Sequence, residues 1–400
     1  MTLADPSMTL SRQSGTSDAM PQAGTRDPRL DFFRGIAMFI ILIAHIPGNW
    51  FTLWIPARFG FSDATETFVF CSGMASAIAF GRAFRDRGLL MGTTRVTFRI
   101  WQVYWAHIGL FFAIAATMVA LNAMFPDGRD YVGQLNLYPF FNNAQTNLIG
   151  LMTLTYVPNY FDILPMYLVI LAMMPLMIGL ARIHFGLAAL ASITLWVCAN
   201  VLGWNFPAEP WSERGWFFNP LGWQLIFFTG FAFMSGWLPA PPRDRRLFWL
   251  AVAIILVTIP FAYFRVFNAF PVFLEWRRDW SFLFQKTEFG ILRYVHFLAT
   301  AYAAWFLVGP AGVNILPGSR PGALARAWQG ILAIIMKVGQ QSLAVFIGSM
   351  YLARVLGALL DQVGRTGFSM LWVNLLGFAL IIGVAYGAAW FKSHPWKRAA

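Results

Sequence analysis

The chain has 400 residues, 58% of them hydrophobic and only 12% charged, with a mean hydropathy of +0.59. That composition excludes a water-soluble enzyme, whose shell needs more charge. Lys and Arg number 29 against 17 Asp and Glu, a net +12 that the basic cytoplasmic loops of a polytopic membrane protein account for without any nucleic-acid partner. The two cysteines, Cys71 and Cys198, stand inside apolar runs and read as small packing residues, not as a disulfide, a zinc site or a nucleophile.

Residues 1–28 are rich in Ser, Thr, Pro and Gly without a continuous apolar stretch, and read as a disordered cytoplasmic tail. A single transmembrane domain is expected over 29–392, with a short cytoplasmic tail at 393–400. Crossing about 30 Å of hydrocarbon takes about 20 helical residues. Ten runs qualify: roughly 32–48, 64–81, 99–124, 161–180, 185–204, 219–238, 247–264, 292–309, 331–353 and 369–391. The expected fold class is therefore an all-α polytopic membrane protein of about ten transmembrane helices. Ten crossings put both termini on one side, and with the termini inside, the inner segments hold 17 of the 29 Lys and Arg, which predicts cytoplasmic termini. Two outer loops, about 125–160 and 265–291, are long. Tyr156, Tyr160, Trp211, Trp216 and Trp276 in the outer segments suit either sugar stacking or an interfacial aromatic belt.

Ionisable side chains inside a span cost a few kcal/mol each, so each is a candidate site residue. The first run contains Asp31, Arg34 and His45 in LDFFRGIAMFIILIAH. Eleven residues of helix place Arg34 and His45 on one face within about 20° and about 16 Å apart, with Asp31 one turn earlier. The second run opens as FSDATETFVFCSG, where Asp63 reads as a helix N-cap and Glu66 lies one turn deeper, on the side where His45 ends the first run. A carboxylate against an imidazole would fix its tautomer and raise its basicity, as a general base requires. Asp162 in NYFDILPMY, and Arg293 with His296 in EFGILRYVHFLATAY, reach the same outer level. Toward the inner side stand Arg95 and Arg99, His107 in the third run, and Lys337 in MKVGQQSLAVF; Arg34, Lys337 and Arg99 together could clamp phosphates, and Arg95 and Arg99 are also ordinary positive-inside residues. No phosphate loop, nucleophile elbow or metal-ligand spacing is present in the sequence, and no permanently bound cofactor is expected.

An Arg followed after ten residues by His in the first membrane helix is similar to the signature of the acyltransferase family 3 membrane O-acyltransferases. RLDFFRGIAMFIILIAH, FSDATETFVFCSG, YFDILPMY, ILRYVHFLATAY and GQQSLAVFIGSMYLAR, in that order, resemble the OpgC family, bacterial inner-membrane proteins that succinylate osmoregulated periplasmic glucans. The resemblance runs from about residue 28 to about 391. It implies a ten-helix acyltransferase fold, a cytoplasmic acyl-CoA donor, in the first place succinyl-CoA, and a periplasmic glucan acceptor. It also implies His45 as the main catalytic residue, with Arg34, Asp63, Glu66, Asp162, Arg293 and His296 around it. The resulting expectation has Glu66 or Asp63 orienting His45, Arg293 or His296 meeting the oxyanion or the succinyl carboxylate, and Arg34, Lys337, Arg99 and His107 along the donor route. The rival from another class is a proton-coupled transporter or flippase, which uses the same residue types. Carriers are often built from repeated halves, and no such symmetry is visible here. A second rival keeps the chemistry and changes the acceptor to another cell-envelope sugar.

Overall fold

The computed structural model describes residues 27–316 and 322–397. The expected 1–28 tail, apart from Asp27 and Pro28, lies outside the described residues, as do 398–400. Among the described residues there are helices and turns but no strand, the one bridge being Pro207 to Gly215. In chain order the helices are α1 (Pro28–His45), α2 (Ala64–Met124), the short α3 (Tyr131–Gln134), α4 (Tyr138–Asn142) and α5 (Ala144–Thr153), then α6 (Ile163–Ile183), α7 (Phe185–Val201), α8 (Pro220–Ser235) and α9 (Arg245–Ala262). They continue with the short α10 (Phe264–Ala269) and α11 (Pro271–Asp279), then α12 (Ile291–Val308), α13 (Ala323–Gln340), α14 (Ser342–Val363) and α15 (Gly367–Lys392). The two long loops expected from the sequence are thus folded into short helices. Six helices are long and apolar enough to cross a membrane: α2, α6, α9, α12, α14 and the one beginning at Gly367. Along α9 only Ala251 is buried, so a row of large apolar side chains faces outward, as lipid solvation requires and water would not permit.

Helix ends follow local chemistry. Asp27 caps α1 by accepting from the Arg29 amide at 2.9 Å, with Pro28 at the first position, where its missing N–H costs nothing. Asn219 and Pro220 start α8 the same way, and Gly236 ends it in the left-handed conformation at φ 74°. Two of the expected runs, 64–81 and 99–124, are the arms of the single 61-residue α2. Good helix formers (Arg, Leu, Met, Ala) carry helix through the charged stretch between them, and only Gly88, at φ 80° and ψ 179°, breaks it. The ninth run, 331–353, is a correction in the other sense. It divides at Gln341, whose backbone leaves the helix at φ −102° and ψ 26°, so that α13 and α14 are separate. Hydropathy runs straight across the break because both helices carry apolar residues up to it.

Glycine pairs set the closest helix contacts. A Cβ on Gly35 would strike the Ile335 carbonyl, and one on Gly339 the Asp31 carbonyl, so α1 and α13 touch backbone to backbone. Gly73 and Gly230 stand in the same relation to the carbonyls of Phe227 and Phe70, joining α2 to α8. Contacts along the helices define two ends of the bundle. At one, Arg29 reaches the Gly309 carbonyl beyond α12, Arg34 bonds to Ser342 at the start of α14, and Lys392 bonds to Gln341 at 2.7 Å. At the other, His45, Asp63, Lys286 and Arg354 meet. α12 ends and α14 starts at the Arg29/Arg34 end, so α13 leaves from and returns to that one end.

Candidate active site

His45 is the last residue of α1. Its Nδ1 lies 2.7 Å from the Ile41 carbonyl one turn back. A carbonyl only accepts, so Nδ1 carries the proton and Nε2 keeps its lone pair in the neutral ring. The ring meets Tyr160 edge to face at 5.5 Å, and the Tyr160 hydroxyl donates to the Met350 carbonyl at 2.7 Å. The chain behind His45 is pinned. Gly48 turns at φ 68°, the amides of Asn49 and Asn374 bond reciprocally at 2.8 and 3.1 Å, and Arg365 donates to the Pro47 carbonyl. His45 opens on a cleft of about 580 Å³ whose charged lining is Asp63, Arg58, Lys286 and Arg354. Three cations stand against one carboxylate, so the lining carries a net positive charge.

One wall of the cleft is backed by an ionic quartet. Asp63 and Glu66 form a capping box at the start of α2, in which Asp63 Oδ1 accepts from the Thr65 amide at 2.6 Å and Glu66 Oε2 from the Asp63 amide at 2.7 Å. Asp63 Oδ2 pairs with Lys286 at 2.6 Å and is 3.8 Å from Arg293, while Glu66 Oε1 is 3.0 Å from Arg293 Nε. That last pair is close in distance without hydrogen-bond alignment, so it is a Coulomb contact. Arg293 also donates to the Phe61 carbonyl at 2.6 Å. Glu66 is fully buried, and two acids against two bases leave the quartet neutral.

This geometry corrects several expectations. Neither Glu66 nor Asp63 orients His45; the Ile41 carbonyl does, because an imidazole at a helix C-terminus has an unsatisfied carbonyl of its own helix within reach. Arg293 does not line the cleft, being held behind Asp63. His296 lies in the next turn of α12 with Nδ1 accepting from the Ser62 amide at 3.2 Å and 2.7 Å from Ser62 Oγ. Its Nε2 faces Gly60, where a Cβ would collide with it, and makes no hydrogen bond among the described residues. Asp162 is buried and accepts from the Phe217 amide at 3.0 Å, bonding to the loop before α8.

At the opposite end, Arg34, Lys337 and Lys392 gather round the break between α13 and α14. Arg34 bonds to Ser342, Lys392 to Gln341, and Lys337 is one turn before Gln341 with its ammonium 5.8 Å from the Tyr386 ring. Arg99 does not join them; it bonds to Gln102 on its own helix at 3.2 Å. His107 is fully buried beside Val103 and Phe111 on the second arm of α2, both ring nitrogens without a hydrogen bond among the described residues. Of the outer aromatics, Tyr156 and Trp216 are buried and closed to a sugar, Trp276 stacks on Phe284, and only Tyr160 borders His45.

Sequence reasoning passed over Lys286 and Arg354, which it counted as outer-loop cations. The guanidinium of Arg354 lies 3.7 Å over the Tyr160 ring. Its spacing carried a signal: Ser342 to Arg354 is 12 residues, close to the 11 from Arg34 to His45, so two parallel helices that meet at the first pair meet again at the second.

A bundle of outward-facing apolar helices with a buried ionic quartet near a histidine at a helix end is the architecture of a membrane protein with a polar interior site. The chain belongs to the OpgC protein family, whose model matches residues 26–393. Membership implies a membrane-associated acyltransferase role in glucan modification. No curated protein and no solved structure matches the chain.

Proposed function

We propose that this protein transfers a succinyl group from cytoplasmic succinyl-CoA to a hydroxyl of a periplasmic glucan across the bacterial inner membrane, with His45 as general base. The observation that carries the reading is the His45 tautomer, in which Nε2 is free to accept a proton beside a cation-rich cleft. In this reading the sugar oxygen attacks the thioester carbonyl as its proton passes to His45 Nε2. The Ile41 carbonyl stabilises the imidazolium through Nδ1–H. Collapse of the tetrahedral intermediate breaks the C–S bond, and the imidazolium returns its proton to the departing CoA sulfur, leaving the ester and the thiol. Lys286, held by Asp63, supplies a fixed positive charge for the oxyanion. His296 and Glu66 act as positioning residues for the 60–63 corner.

Ten crossings accompany this reading: α1, the two arms of α2, α6, α7, α8, α9, α12, α14 and α15. The helix α13 lies along the cytoplasmic face, where its exposed Leu324 and Ile331 meet lipid. Both termini are then cytoplasmic, and Arg34, Lys337 and Lys392 receive the CoA phosphates where α13 gives way to α14. From there α1 and α14 run together toward His45 and Arg354, a path of about 16 Å for the pantetheine arm. No bound cofactor is required.

Arg354 fits the distal carboxylate of the donor, since no carboxylate pairs with it among the described residues. Arg354→Gln is expected to raise KM for succinyl-CoA about 10- to 100-fold, the worth of a hydrogen bond to a charged group, and to leave acetyl-CoA nearly unaffected. Steady-state kinetics with the two donors would remove Arg354 from the donor site if both constants moved together. The reaction itself is tested by incubating the purified protein in detergent with radiolabelled succinyl-CoA and a short β-glucan and counting label on the sugar. A carrier would bind glucan or lipid without being stabilised by CoA against heat.

A further inference from the structure

A second cleft, of about 630 Å³, opens at the His45 end of the bundle between the end of α2 and the end of α14. Its lining includes Phe125, Arg129, Tyr131, Asp361, Gln362 and Arg365. Asp361 is the hub: its Oδ1 is 3.0 Å from Arg129 and pairs with Arg365, which follows the end of α14. With Asp127 also in the lining, two arginines face two aspartates. The cleft is therefore polar yet neutral, unlike the cationic cleft at His45. The Tyr131 side chain is buried, and its hydroxyl stands beside Asp361 and Gln362 without a well-aligned hydrogen bond among the described residues. The floor is preformed, because Asn122 of α2 accepts from the Tyr131 amide at 2.8 Å and donates to Asp130 at 3.0 Å.

Arg365 is the wall between the two clefts. It donates to the Pro47 carbonyl, and a Cβ on Gly48 would sit 2.7 Å from its Nε; Pro47 and Gly48 line the His45 cleft from the other side. Along α14 the step from Arg354 to Asp361 is seven residues, or about 10 Å.

We propose that this second cleft is an acceptor subsite for a neutral polyhydroxylated chain: it holds glucose units of the glucan a short way from the one being acylated at His45. The proposal rests on the glucan reading above. Neutral sugars are recognised by planar carboxylate, guanidinium and amide groups that share hydrogen bonds with neighbouring hydroxyls, and by an aromatic face; Asp361, Arg129, Gln362 and Phe125 supply that set. Tyr131 supplies a hydroxyl beside Asp361 and Gln362, in reach of the same ligand.

The test uses the full-length protein in detergent and a ladder of linear β-glucan oligosaccharides. Direct binding without donor is measured by intrinsic tryptophan fluorescence, and transfer kinetics are measured with saturating succinyl-CoA. Wild type is expected to bind long oligosaccharides more tightly than a disaccharide. Gln362→Ala and Tyr131→Phe should each raise the long-chain Kd and KM about tenfold while kcat is kept, and remove the preference for length. Arg129→Gln, at a half-exposed side chain that does not hold the Pro47 turn, guards against misfolding and should act in the same direction. Unchanged long-chain binding in all three folded variants, or no length preference in wild type, overturns the subsite. Length-dependent binding that the variants abolish, in a protein that transfers no label to glucan, would keep the subsite and overturn the transfer reaction instead.

Discussion

His45→Gln and His45→Ala are each expected to lower succinyl transfer to a short β-glucan by at least about 10²-fold, the range that loss of a positioned general base produces. Stabilisation of the variant by CoA against thermal unfolding should persist, because the cationic groups at the other end of the bundle are untouched. The expectation follows from one hydrogen bond. The Ile41 carbonyl commits Nδ1 as a donor, which leaves Nε2 as the only ring atom able to take a proton. Glutamine keeps a hydrogen-bonding side chain and removes the basic nitrogen, so a low rate in that variant reports chemistry and not packing. His296→Ala supplies the contrast. Its Nδ1 supports Ser62 and its Nε2 faces Gly60, so the variant should lose activity through a displaced 60–63 corner and should also unfold at lower temperature. Full transfer by His45→Ala together with complete loss in a stable His296→Ala would reverse the assignment of the base.

The largest stability effect is expected at Arg293. Arg293→Met strands Glu66, which is wholly inaccessible to solvent, and leaves Asp63 with Lys286 alone; breaking one side of a buried pair costs about 3–5 kcal/mol. Adding Glu66→Gln should return much of that loss, because the cost lies in the uncompensated buried charge and not in the missing contact. Reversible unfolding in detergent of the wild type, both single variants and the double variant forms a cycle whose coupling should exceed about 1 kcal/mol. Additive single effects would show that Glu66 and Arg293 do not sense one another across their 3.0 Å separation. Donor preference gives an independent readout: with Arg293 behind the cleft wall, Arg293→Met should not change the ratio of succinyl to acetyl transfer, whereas Arg354→Gln should.

Composition and periodicity by themselves determined that this is a helical membrane protein, because 58% apolar residues in long runs admit no other solvent. The motifs at Arg34 to His45 and at Asp63 to Glu66, with the later blocks, determined the family, and helix geometry placed Arg34 and His45 on one stripe because residues eleven apart nearly complete three turns. The capping of α2 by Asp63 was equally legible, since a capping box is a local signal. Partners were not. His45, Asp63, Arg293 and Arg354 are far apart in sequence, and several pairings among them satisfy the same charge count, so Glu66 was matched to His45 when the fold matches it to Arg293. Likewise the run 331–353 is mostly apolar on both sides of its division at Gln341, and the division accompanies a close approach of Gly339 to the Asp31 carbonyl of α1, some three hundred residues away. Tertiary structure alone decided which helix ends share a level, and with that which charges neutralise one another. Among buried groups, charge pairing depends on a few ångströms that no local pattern encodes.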